Sequence, residues 1–429
     1  MGNPAHATFQ AEDGTRAGLP RDACHWSNAT RSIIQSRESK LEKMKNKIIL
    51  LALICILSIG AGVEAQEKRL DQMIERELPS LVTTYKTLHA APELSHHEEH
   101  TSTLFAKELR EFGYEVTERF GKYNRSDWTS YGVVAVMKNG AGPVVLVRTD
   151  MDALPVEETT ELPYASKVKT KNEAGQDVSV MHACGHDIHI TSLLGTAKML
   201  KEMKEQWHGT LVLIGQPAEE TVHGAEAMLA GGLYSQFPKP DYAIALHDSA
   251  DLGAGKVGYT PGYGLASSTS VDITIRGLGG HGSKPEATKD PIVVAAQLIL
   301  ALQTIISREN SPLDPAVVTV GSIHGGAKNN IIPDEVNLLL TVRAYKEEVR
   351  QKIIASIERI TNGIAQAAGI PPDRAPVFNL KKEFTPATYN NPELTERLAK
   401  VFVNALGADN VVQTPPAMAS EDFGYYGLE

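Results

Sequence analysis

The ten residues MHACGHDIHI, Met181 to Ile190, gather a cysteine, three histidines and an aspartate in a chain with only three cysteines. Cys184 and His186 are two positions apart. Gly185 between them lets the backbone turn tightly enough to aim a thiolate and an imidazole at one point. Those donors suit zinc or a similar borderline divalent metal. By itself a C-x-H pair is equally compatible with a satisfied core cluster. Further donors shift the balance: LVLIGQPAEE closes an apolar run on Glu219 and Glu220, AIALHD closes one on His247, and VVLVRTDMDALP closes one on Asp150 and Asp152. Thiolate, imidazole and carboxylate are the ligand types of zinc-like sites, so the set points to a metal centre. Neighbouring carboxylates near a strand end point in different directions. One of the Glu219 and Glu220 pair can therefore bind metal while the other serves as general base toward an activated water and a leaving amine. The competing reading of that pair is a solvated acidic turn, and of Asp152 a turn cap.

Segments that must carry these residues alternate between strand-like and helical from Gln66 onward, which is the signature of an α/β sheet with helices on its faces. Strands are expected at Gly132 to Met137, Pro143 to Val147, Leu211 to Ile214 and Tyr242 to Leu246. A helix is expected at Pro79 to Leu88, and another just after the histidine-rich stretch, where Ile190, Leu193, Leu194, Ala197 and Leu200 recur at helical spacing. In open α/β sheets ligands bind beyond the carboxyl ends of the strands, and three such ends here deliver acids or histidine. After GYTPGYG the pattern changes to βαββα, with helices at Pro291 to Ser307 and Glu347 to Ala368, which suits a compact α+β insert. GIPPD, Gly369 to Asp373, reads as the return linker, followed by a strand and a helix from Pro392 to Leu406. The expected organisation is a first catalytic part over 66–264, an insert over 265–370 and a second catalytic part over 371–429. His96, His97 and His100 in LSHHEEH read as solvated residues between helices rather than metal ligands.

Composition bounds the rest. A net charge of −10 over 429 residues leaves no basic footprint and argues against nucleic acid as a partner. MKNKIILLALICILSIGAGVEAQ pairs lysines with an apolar run shorter than the roughly 20 residues of a bilayer span and ends on the small-residue site Val63-Glu64-Ala65. It reads as a signal peptide over 44–65, cleaved after Ala65, giving an exported protein without a stable membrane anchor. Residues 1–43 read as a non-native or disordered leader. Removing both segments takes away Cys24 and Cys55, so Cys184 stands alone and no internal disulfide is expected.

The ordered series LHAAPELS, RTDMDALP, MHACGHDIH, GQPAEE, ALH, GGHGSKPEATKDPI, NNIIPD and SEDF, from Leu88 to Phe423, resembles the M20 family of metallo-amidohydrolases and zinc peptidases. The similar branch includes hippurate hydrolases, N-acyl-amino-acid amidohydrolases and plant auxin-conjugate hydrolases. The resemblance implies a mixed-sheet metallopeptidase domain with helices on both faces and an inserted ferredoxin-like α+β lid and dimerisation domain. It implies two divalent metal ions, zinc first and manganese, cobalt or nickel otherwise, held by Cys184, His186, Glu220 and His247 with Cys184 bridging. By the same resemblance Glu219 is the general base, Asp152 orients a metal-binding histidine, His281 reaches the neighbouring subunit's site of a homodimer, and Asn330 and Arg343 bind substrate. The implied activity is hydrolysis of N-acyl amino acids, with a dipeptidase or exopeptidase as the alternative. Relatives carry a last metal-binding histidine beyond SEDF, and this sequence ends at Glu429 without it. A misbounded chain is the expectation, and a non-catalytic binding relative the other reading.

Overall fold

The computed structural model describes residues 68–429, of which Leu70–Glu429 form one compact unit. The expected leader and signal peptide lie outside the described residues. Two helices, α1 (68–90) and α2 (Glu99–Glu111), precede strands β1 (Glu115–Phe120), β2 (Gly132–Asn139) and β3 (Val144–Asp150). A short hairpin, β4 (Lys169–Lys171) and β5 (Asp177–Ser179), leads to α3 (His186–Glu202), β6 (Gly209–Gln216), α4 (Gly224–Ala230), α5 (Leu233–Gln236) and β7 (Tyr242–Ala245). The sheet runs β1-β2-β6-β3-β7, with β6, β3 and β7 parallel and the β1 and β2 pairings antiparallel.

The central strands are apolar on both faces because helices cover both. Successive side chains alternate across a strand, so Val133, Ala135 and Leu213 pack with Phe105 of α2 and Ile190 and Leu194 of α3, whereas Val134, Val136 and Ile214 pack with Ala225, Met228 and Leu233. This is the expected mixed sheet with helices on both sides. Helix α3 starts earlier than its apolar spacing indicates. Gly185 takes the left-handed conformation, φ +75°, and the helix begins on the next residue, so His186 lies inside its first turn.

Strands β8 (Val257–Tyr259) and β9 (Gly262–Leu265) lead into a second layer: β10 (Ser267–Arg276), β11 (Gly280–His281), α6 (Pro291–Thr304), β12 (Ala316–His324), β13 (Ile331–Ile332), β14 (Glu335–Ala344), α7 (Glu347–Ala367) and β15 (Val377–Thr385). Its antiparallel sheet has the order β12-β14-β10-β15, and α6 and α7 bury Val294, Leu298, Ile353 and Ile357 against Val271, Ile273, Ile275 and Leu338. Alternation in β10 and β14 follows from one covered face. Asp290 caps α6 by accepting from the Ile292 N–H, with Pro291 in the first turn. The segment Gly369 to Asp373 does not return the chain at once. Residues Val377–Thr385 first pair with β10, because Phe378 packs against the insert's core. The chain then returns through β16 (Thr388–Asn390), which pairs with β9, α8 (Pro392–Leu406) and β17 (Val411–Gln413), which lies parallel to β8.

Candidate metal centre

Parallel strands β3, β6 and β7 end at one edge of the central sheet, and the polar residues gather there. Cys184 Sγ lies 3.5 Å from His247 Nε2. His247 Nδ1 donates to the Asp248 carbonyl at 2.7 Å, which leaves Nε2 to face the sulfur. His186, fully buried, approaches Asp152 Oδ1 through Nδ1 at 3.4 Å, and through Nε2 approaches Asp150 at 3.4 Å and Glu220 Oε1 at 4.0 Å. The other Asp152 oxygen accepts from Ser95 Oγ at 2.6 Å and from the Glu220 N–H at 3.0 Å. Asp152 thus links His186 to the turn bearing the two glutamates, in addition to capping that turn.

Glu219 and Glu220 do diverge. Glu220 faces Cys184 and His186, while Glu219, buried, meets Glu421 and Asp422. The turn that splits them is strained: Ala218 and Val222 both adopt positive φ, at +50° and +54°, a cost of about 1–3 kcal/mol each that surrounding structure must hold in place. Glu98 supplies part of that hold, its buried carboxylate accepting from the Ala218 and His96 N–H groups at 2.8 and 3.0 Å. His96 itself departs from the expected solvated loop. It is buried, stacked 3.7 Å from Trp128, and its Nε2 meets Thr221 Oγ1 at 3.2 Å, because the turn after Glu220 folds over it.

Charge is concentrated behind the cluster. Buried Arg148 contacts Asp150 at 2.5 Å, Glu421 at 2.8 Å and Asp422 at 3.3 Å, and donates to Gln216 at 3.1 Å. Burial and the neighbouring Glu421 and Asp422 carboxylates push the Glu219 proton affinity well above the ordinary carboxylate value. Burial also raises Glu220. Hydrogen bonding to His186 and His247 lowers the Cys184 thiol, and the reciprocal bond to Cys184 raises His247 to about 9.

Residue types and spacing left several participants unassigned. His189 Nδ1 meets Asp150 at 2.7 Å, and its ring lies 4.6 Å from that of His247. His189 is one helical turn from His186, and Arg148 and Asp150 share one face of β3, so these carried a local signal. Glu421 and Asp422 stand in the SEDF motif of the resemblance but were given no role. The remaining expected site residues lie in the second layer. His281 is exposed, its Nδ1 accepting from the Ser283 N–H at 3.2 Å, and it neighbours Asn330, whose carbonyl accepts from the Gly282 N–H at 2.9 Å. Arg343 donates to the Met418 carbonyl at 2.7 Å, just upstream of Glu421. Among the described residues, His281 joins none of the clusters of metal-capable donors.

The donors fit a divalent cation on their own chemistry. His186 Nε2 and Glu220 Oε1 are buried without a hydrogen-bond partner, whereas His186 Nδ1 and Asp152 Oδ1 face each other at 3.4 Å. Each such orphan costs about 1–3 kcal/mol unless something satisfies it. Cys184, His186 and His247 form one triple of converging ligand atoms, and His186, Glu219 and Glu220 another. Sulfur, nitrogen and oxygen converge there next to an excess of carboxylates.

This chain is similar to several known proteins. Hippurate hydrolase of Campylobacter jejuni is 42% identical over 342 residues, covering 79% of this chain and 82% of that protein. Thermostable carboxypeptidase 2 of Saccharolobus solfataricus is 35% identical over 348 residues, covering 81% and 82%. Among solved structures, a dinuclear metal-binding peptidase of Bacillus subtilis superposes with a TM-score of 0.66 at 30% identity, covering 82% of this chain and 86% of its own. Residues 146–429 match the peptidase family M20/M25/M40. The chain belongs to that family and is a metal-binding hydrolase.

Proposed function

We propose that the protein hydrolyses the amide bond of N-acyl amino acids, with Cys184, His186, Glu220 and His247 as the residues that would hold two divalent ions. The observation that carries this reading is the meeting at His186 of two donor groups, Cys184 with His247 and Glu220 with a buried Glu219. A bound divalent ion, zinc by donor type with manganese, cobalt or nickel as alternatives, would lend Lewis acidity to the amide carbonyl and to water. Glu219, its proton affinity raised by burial and by Glu421 and Asp422, takes the proton from the attacking water. It returns that proton to the nitrogen as the C–N bond breaks, giving a carboxylic acid and a free amino acid. Asp152 orients His186 through Nδ1. Asn330 and Arg343 bind the substrate, the arginine fork matching a free carboxylate.

We propose a homodimer in which His281 serves the partner's site. Exposure of His281 supports this, as do the apolar residues Val293 and Leu300 on the outer side of α6. The second layer, residues 265–370 with β15 added, is the dimerisation unit. Export by the 44–65 signal belongs to the same proposal and is tested by sequencing the mature N-terminus.

Similarity to a carboxypeptidase supports a second reading, a metallo-exopeptidase or dipeptidase using the same machinery. Hydrolysis of hippurate-like N-acyl amino acids and of dipeptides, measured side by side with and without chelator, decides between them. Faster turnover of the acyl compounds, abolished by chelator and restored by zinc, is expected. Preference for dipeptides selects the second reading, and activity that survives chelator but dies on thiol alkylation overturns both.

A further inference from the structure

We infer that His189 is a positioning residue: it locks the loop carrying His247 onto the end of β3, acting through Asp248. The inference deepens the reading of His247 as a ligand and rests on it. Asp150 Oδ1 sits 2.7 Å from His189 Nδ1, and a carboxylate there requires that nitrogen to donate. Asp150 is itself fixed from behind by Arg148 at 2.5 Å. With the proton on Nδ1, the lone pair of His189 is on Nε2, and the Asp248 backbone N–H donates to it at 3.0 Å. Asp248 Oδ1 lies 3.2 Å from the same nitrogen, so both of these close contacts of Nε2 are to Asp248.

Asp248 is the residue after His247, and its carbonyl accepts from His247 Nδ1 at 2.7 Å. Asp248 is therefore held by His189 through its N–H and holds the His247 ring through its carbonyl. The path runs from β3 through α3 to the end of β7, three elements with one ring between them. Close packing supports the same view: a Cβ added at Gly185 would fall 2.3 Å from Asp248 Oδ1, so the start of α3 is fitted to this loop. Since β7 ends at Ala245 and His247 is exposed, little else holds the ring toward Cys184.

Two substitutions separate positioning from mere packing. His189→Asn keeps a donor for Asp150 but offers Asp248 no acceptor, whereas the longer His189→Gln brings its amide oxygen toward the lost Nε2. In the full chain, zinc affinity by chelator competition should fall about 10–100-fold in His189→Asn and largely return in His189→Gln, the usual range for groups that orient a ligand. Hydrogen-exchange protection of the Asp248 amide in metal-free protein should follow the same order. The cobalt-substituted protein should show a shifted thiolate-to-metal absorption band in His189→Asn only, and kcat should fall more than KM changes. Wild-type affinity and Asp248 protection in His189→Asn would overturn the inference, as would equal losses in both variants. Should His189→Asn fail to fold, Asp248→Pro removes the same hydrogen bond from the exposed side and must lower zinc affinity comparably; unchanged affinity refutes the role. Full zinc content in His247→Ala would instead refute the ligand reading, whatever the exchange data report for Asp248.

Discussion

Glu219 and Glu220 are adjacent in sequence and opposed in setting, and the consequence can be measured. Glu219→Gln keeps the shape and removes the base, so kcat should fall about 10²–10⁴-fold while metal content and KM stay near wild type, checked by steady-state kinetics and elemental analysis. The Cys184 and His247 pair makes a second prediction, for the metal-free protein. A histidine raised to about 9 stabilises the fold below its unfolded value and loses that contribution as pH climbs through about 9. A thiol lowered by His186 and His247 contributes fully above its unfolded value and loses the contribution as pH drops through its folded one. Together they place the pair's stabilisation around neutrality. Thermal unfolding of metal-free protein across pH should show Tm declining on the alkaline side, and Cys184→Ala should flatten that limb; a parallel decline in both proteins would be contrary. The ligand types were legible at this scale because thiolate, imidazole and carboxylate are scarce together. His96 was misread as solvated because burial depends on what folds over it, here Trp128 and Thr221.

At the scale of elements, strands β2, β3, β6 and β7 and helices α6, α7 and α8 were legible from apolar runs and helical spacing, whereas the helix expected to start at Pro79 runs over 68–90 with that proline in its interior. The start of α3 was not, because a left-handed Gly185 rather than an apolar period sets it. Nor was β15 placed, since a strand's partner is a tertiary choice. Arg148 shows how elements are tied across long sequence distances. It joins β3 to the turn at Glu421 and Asp422, and with the guanidinium removed three buried carboxylates face one another. Arg148→Met should destabilise the protein by about 3–5 kcal/mol, read as a drop in denaturant midpoint at unchanged m-value. A loss under 1 kcal/mol would mean that the carboxylates simply take up protons.

For the whole molecule, metal and fold are linked. A cation that binds only the folded chain adds stability by mass action, about 2.7 kcal/mol at a free concentration one hundred times Kd, so chelation should lower Tm and added zinc should raise it in a concentration-dependent way. A Tm indifferent to chelator would count against a cation satisfying the orphaned His186 and Glu220 atoms. Reading the residues alone was enough for the α/β class, the α+β insert and the candidate donors Cys184, His186, Glu219, Glu220 and His247, because periodicity and residue chemistry are local properties. It takes the folded chain to bring Asp150, Arg148, Glu421 and Asp422 into one buried charge network, to set Glu219 against it and Glu220 near Cys184, and to bond His189 to the Asp248 N–H. Those are distances between residues up to 274 positions apart, set by which strand ends share a sheet edge, and nothing local encodes them.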